Sequence, residues 1–172
     1  MSSSKTTEPA DRHWPETYAK DEQRLQREFL AFLRLTAVHK VAGLSRELAA
    51  AAPIPTSPAI TAMRVLKHLT AVERYWMSIV GGGADLPELW GADAEASWKF
   101  TADETPESVI ADYRAEWALS EQALAGRGPD DTSAGQPDKT IRWIRTHLIQ
   151  ETGRHVGHLD FLRELADGEV GE

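Results

Sequence analysis

The sequence predicts an all-α protein, a four-helix bundle with a long ordered loop between helices two and three. Three observations carry that prediction. Four stretches of about 20 residues or more repeat apolar side chains at the α-helical period. No stretch alternates apolar and polar residues as a half-buried strand does. Cap-then-proline pairs, a triple glycine and a Gly/Pro-rich turn region punctuate the helical stretches.

Residues 1–12 are small, polar and charged, with nothing to bury, and are expected to form a disordered tail. Residues 13–172 are expected to form a single helical domain, because a chain of this length supports one well-buried core. Between Glu16 and about His39, the residues Tyr18, Leu25, Phe29, Phe32, Leu33 and Thr36 recur at helical spacing, and Lys20, Arg24 and Arg27 fall on the other side. This is helix one. Gly43 and the segment LSRELAAAAPIP read as its end, a short extra turn and a Pro-punctuated connection.

Ser57 followed by Pro58 reads as the start of helix two, since serine caps free N–H groups and proline suits the first helical position. Its stripe comprises Val65, Val72, Tyr75, Trp76 and Ile79, with His68 in the middle, and Gly81, Gly82 and Gly83 stop it. Residues 84–104 lack a period but contain Leu86, Leu89, Trp90, Trp98 and Phe100, so a loop packed over one end of the domain is expected, with Trp90 and Trp98 placed to roof a pocket. Thr105 and Pro106 open helix three, which carries Val109, Tyr113, Trp117, Ser120 and Leu124 to about Arg127. After the turn region GRGPDDTSAGQPD, helix four runs from near Asp138 to Asp167, with Gly168 past its end.

With 27 acidic against 19 basic residues, the net charge of −8 argues against a nucleic-acid partner, which a basic stripe would mark. The N-terminus has no apolar signal-type run and no apolar stretch approaches the length of a bilayer span, so a cytoplasmic protein without a membrane partner is expected. There are no cysteines, so any metal must be held by histidine and carboxylate, which favours Zn²⁺, Ni²⁺, Mn²⁺ or Fe²⁺.

Helix four places Ile144, Leu148, Leu159, Leu162 and Ala166 on one stripe, and Glu151 and His155 fall inside it. An unpaired buried carboxylate is costly, so Glu151 needs a strong partner or a cation, and His155 one turn later is placed to share one. His68 offers a third donor from helix two, and three protein ligands leave a position open for water or substrate. Each residue also has an ordinary reading. His68 can be a core histidine satisfied by a backbone or hydroxyl group, and Glu151 can pair with Arg142, Arg145 or Arg154. His147 and His158 lie roughly 40° and roughly 20° from Glu151 on the wheel, where an extra ligand, an outer partner, a proton carrier or a partly exposed histidine all fit. His39 can point inward, and His13, beside Trp14 and Pro15, reads as surface.

The pairing of VLKHLTAVERYW with IRWIRTHLIQETGRHVGHLDFLREL resembles the DinB-like superfamily, especially the actinobacterial branch related to mycothiol-dependent maleylpyruvate isomerases. GLSRELA and DETPESVIADYRAEW resemble the same branch, and the resemblance covers about residues 25–168. It implies a four-helix bundle with a divalent metal near one end, zinc ahead of nickel, held by His68, Glu151 and His155, with His158 beside the site. It further implies a low-molecular-weight thiol such as mycothiol as cofactor and a thiol transfer to a small electrophilic substrate. The alternative is a metal- or small-molecule-binding bundle without turnover, with a role in stress resistance. A homodimer is compatible with either.

Overall fold

The computed structural model describes residues 12–15, 20–90, 93 and 95–170. The expected tail falls outside these residues as far as residue 11, whereas Arg12 donates to Thr36 Oγ1 at 3.0 Å and lies over the Phe32 ring. Helix α1 is Glu22–Val41, α2 Arg46–Ala50, α3 Ala62–Glu73, α4 Pro106–Ala123 and α5 Ile141–Asp167. The expected helices one to four are α1, α3 with its continuation, α4 and α5, and α2 is the short extra turn. Among the described residues there are no strands, a single isolated bridge pairs Thr132 with Thr140, and no helix is long and apolar enough to cross a membrane.

Local chemistry sets the ends, and it moves several expected boundaries. Helix α1 starts after Asp21, whose carboxylate caps Arg24 N at 3.1 Å; Glu16 and Tyr18 lie outside the described residues. The expected Ser57–Pro58 start of helix two is corrected. The Ser57 amide is used in a turn to Ile54 O, Ile60 N turns back to Ser57 O, and extended Thr61 caps Arg64 N at 3.2 Å instead. In α4, Thr105 and Ser108 cap each other reciprocally and Pro106 takes the first position, as expected, but the helix ends at Ala123 rather than near Arg127. Thr140 caps α5, so it begins at Ile141 rather than near Asp138, and left-handed Gly168 (φ 83°) closes it.

Helix α3 is central: it packs against α1, α4 and α5, while α1 lies along α5. The expected apolar stripe of α1 holds at Phe32 and Thr36, both buried, and at Leu33, packed on the core, but not at Phe29. Leu30 is buried and Phe29 is 37% exposed, because the inner face follows Leu30, Arg34, Ala37, Val38 and Val41. Arg34 belongs inside because Glu73 meets it there: Arg34 Nε donates to Glu73 Oε2 at 3.2 Å and Ser120 Oγ donates to Glu73 Oε1 at 2.6 Å. Although burial opposes the charge, the facing Glu73 carboxylate raises the Arg34 pKa above its usual value.

After Glu73 the chain continues as a π-helix, Arg74–Gly81. Its wider turn rotates the wheel away from the α-helical projection, so Met77, Ser78 and Val80 face the core while Tyr75, Trp76 and Ile79 are half-buried. A second buried carboxylate anchors it: Glu116 accepts from Arg74 Nε at 2.9 Å and from Ser78 Oγ at 3.3 Å. The π-helix ends where Gly82 presses on α4; a Cβ there would lie 2.6 Å from both Ala123 Cβ and Ala123 O. The described part of the following loop is packed as expected, with a 3-10 turn at Ala96–Trp98 and with Trp98 and Phe100 against the core.

Candidate metal centre

Because α3 packs on α5, His68 from one faces Glu151 and His155 from the other. The spacing of four residues stacks Glu151 and His155 one turn apart on the same face of α5. His155 Nε2 lies 3.2 Å from Glu151 Oε1, and His68 Nε2 lies 3.7 Å from the same oxygen. One donor atom from each of the three residues falls within 4.8 Å of the other two. The side chains are 14%, 15% and 7% exposed for His68, Glu151 and His155, so the cluster is sheltered but reachable.

The electrostatics suit a cation. Burial, and then the neighbouring His155, push His68 down to about 4, against the pull of Glu151. Burial likewise holds His155 below the usual histidine value, with His158 and Arg154 acting in the same direction and Glu151 opposing. For Glu151 burial works upward, yet His155, Arg154 and His68 outweigh it and keep the carboxyl below its usual range. Near neutral pH the cluster is therefore two neutral imidazoles and a carboxylate, the protonation state that metal ligation needs. Donors at about 2.0–2.2 Å from a tetrahedral ion stand a little over 3 Å apart, and the two measured separations bracket that spacing. The donor set fits a divalent metal.

Ordinary neighbours also reach the cluster. His68 Nδ1 lies 3.2 Å from Ser97 Oγ, His155 Nδ1 lies 3.2 Å from His158 Nδ1, and Arg154 stands 3.7 Å from Glu151 Oε2. These contacts occupy the far side of each group and leave both Nε2 atoms and Glu151 Oε1 directed at one another. Arg142 pairs instead with Glu22 and Asp130, and the two side-chain nitrogens Nε and Nη1 of Arg145 are buried without a hydrogen-bond partner. The Trp98 ring stacks on His68 at 4.0 Å and 12°, so this tryptophan does roof the site; Trp90 packs on Tyr75.

The remaining histidines separate. His158 stands beside His155; His147 stacks on Trp143 at 5.1 Å and meets Trp76 edge-on, outside the converging group. His39 is half-buried with an unpartnered Nε2, and burial and then Arg12 lower its pKa. His13 is exposed. Ser97 was not singled out by sequence reasoning; a hydroxyl in an aperiodic loop gives no signal except its position next to a tryptophan. It also lines a cavity of about 270 Å³ between α3, α4 and the loop, together with Lys67, Thr70, Arg74, Glu116 and Leu119.

A search of curated proteins returns no match to this chain. A family model described as mycothiol S-transferase, one of the DinB-like families, matches residues 25–168, a span that contains α1 from Leu25 onward, all of α2 to α5, and all three converging residues. The chain belongs to the mycothiol S-transferase family.

Proposed function

We propose that this protein holds a divalent cation, zinc ahead of nickel, through His68 Nε2, a Glu151 carboxylate oxygen and His155 Nε2, and that it transfers a low-molecular-weight thiol such as mycothiol to a small electrophile in the cytoplasm. The observation that carries this reading is the convergence of two neutral imidazole nitrogens from α3 and α5 on one carboxylate oxygen. Family membership supports the thiol and the transfer. Three protein donors leave part of a coordination shell for a small molecule. A cation bound there supplies Lewis acidity, which brings the pKa of a coordinated thiol toward neutrality.

The chain's own groups set the conditions for that chemistry. Glu151 offsets part of the cation's charge, and Arg154 and His158 hold the Glu151 and His155 side chains from behind. Trp98 excludes water from one face of His68. Transfer forms a carbon–sulfur bond from the sulfur lone pair, expels the leaving group with its bonding electrons and releases the thiol proton to solvent. The test is to incubate the zinc-loaded protein with mycothiol and 1-chloro-2,4-dinitrobenzene and quantify the conjugate by mass spectrometry. A metal-dependent rate above background is expected; its absence across several thiols and electrophiles would leave a metal-binding bundle without turnover.

A further inference from the structure

We infer that Ser97 is a positioning residue for the metal centre: its hydroxyl oxygen accepts the Nδ1–H of His68 and thereby presents the Nε2 lone pair of that ring to Glu151 and His155. The inference rests on the metal-binding reading above, and it adds the loop between the π-helix and α4 to the two helices that build the centre.

Three observations meet at His68. Ser97 Oγ stands 3.2 Å from Nδ1, and the residue is only 3% exposed. Trp98, the next residue, stacks almost parallel on the imidazole, which fixes the plane of the ring while the Ser97 contact fixes its rotation. On the opposite edge, Nε2 is 3.7 Å from Glu151 Oε1, too long for a hydrogen bond, whereas His155 Nε2 is at 3.2 Å. A neutral imidazole has one N–H to place. In His68 the geometry gives it to the Nδ1–Ser97 contact and leaves Nε2 as the acceptor that a cation requires.

The loop is built to deliver that contact. Ala96 N and Trp98 N each close on a carbonyl three residues back, Asp93 O and Glu95 O, at 2.9 Å. Asp93 caps Glu95 N at 2.9 Å and pairs with Lys99 at 2.6 Å, so the turn carrying Ser97 is tied at both ends. The Ser97 hydroxyl hydrogen, not needed by His68, is free for a molecule in the cavity that Ser97 also lines.

The experiment has two arms. In the first, zinc affinity is measured by competition with a chromophoric chelator for wild type, Ser97→Ala and Ser97→Thr, with circular dichroism and the urea midpoint as fold controls. Ser97→Ala is expected to bind zinc about ten- to a hundredfold more weakly, and Ser97→Thr, which keeps the hydroxyl, within a few-fold of wild type. In the second, ¹⁵N chemical shifts of the His68 ring in chelator-treated wild type are expected to show the Nδ1–H form. A folded Ser97→Ala with unchanged affinity, or an Nε2–H ring in wild type, overturns the inference. Failure of wild type to bind zinc overturns the metal reading instead, and the ring tautomer, read without metal, still decides the role of Ser97.

Discussion

Arg34 on α1 donates to Glu73 on α3 across 3.2 Å, with Glu73 fully shielded from water and Arg34 6% exposed at its side chain. Removing Arg34 strands the Glu73 carboxylate in the core with only the Ser120 hydroxyl, whereas Arg34 without Glu73 keeps Glu121 at 3.3 Å. Arg34→Met is expected to cost about 3–5 kcal/mol, whereas the double replacement Arg34→Met with Glu73→Leu is expected to cost much less. Urea unfolding of the three proteins measures this; a double variant as unstable as the single one would show that the pair contributes net stability.

Helix α3 starts at the Thr61 cap and not at Ser57. Thr61→Ala should therefore lose about 1 kcal/mol, and Ser57→Ala should stay near wild type. Equal losses in a thermal or urea melt would place the start back at Ser57.

His68, held down at about 4 by burial, takes up a proton more weakly in the folded chain than in the unfolded one. The unfolded state therefore binds more protons as pH falls, so stability of the chelator-treated protein is expected to be flat in this respect above about pH 6.5. It should then decline toward pH 4, at up to about 1.4 kcal/mol per pH unit for one proton. His155, also lowered, adds to the decline in the same direction. His68→Gln should remove part of this slope in urea titrations run at several pH values; an unaltered slope would mean that His68 does not titrate in this way.

The all-α class, the bundle and the facing of Glu151 and His155 were legible because each rests on a short-range pattern. Thr105–Pro106, Gly168 and the four-residue spacing of Glu151 and His155 act within one helix or one cap. Three other features were not legible. Arg34 carries no local sign of burial, and its place in the core depends on Glu73, 39 residues later. The π-helix changes the number of residues per turn, so a wheel drawn at a constant angle carried Tyr75 and Trp76 too far inward and left Met77 out. Ser97 becomes meaningful only through a contact 29 residues away in sequence.

The most direct test of the central claim is metal content and zinc titration of wild type, His68→Ala, Glu151→Ala and His155→Ala by elemental analysis and calorimetry. The expected result is one equivalent of zinc in wild type and a large loss of affinity in each variant, with the fold retained in at least His68→Ala, whose side chain is partly exposed. Stoichiometric zinc that persists in folded His68→Ala, or no zinc in wild type, would contradict a cation held between α3 and α5.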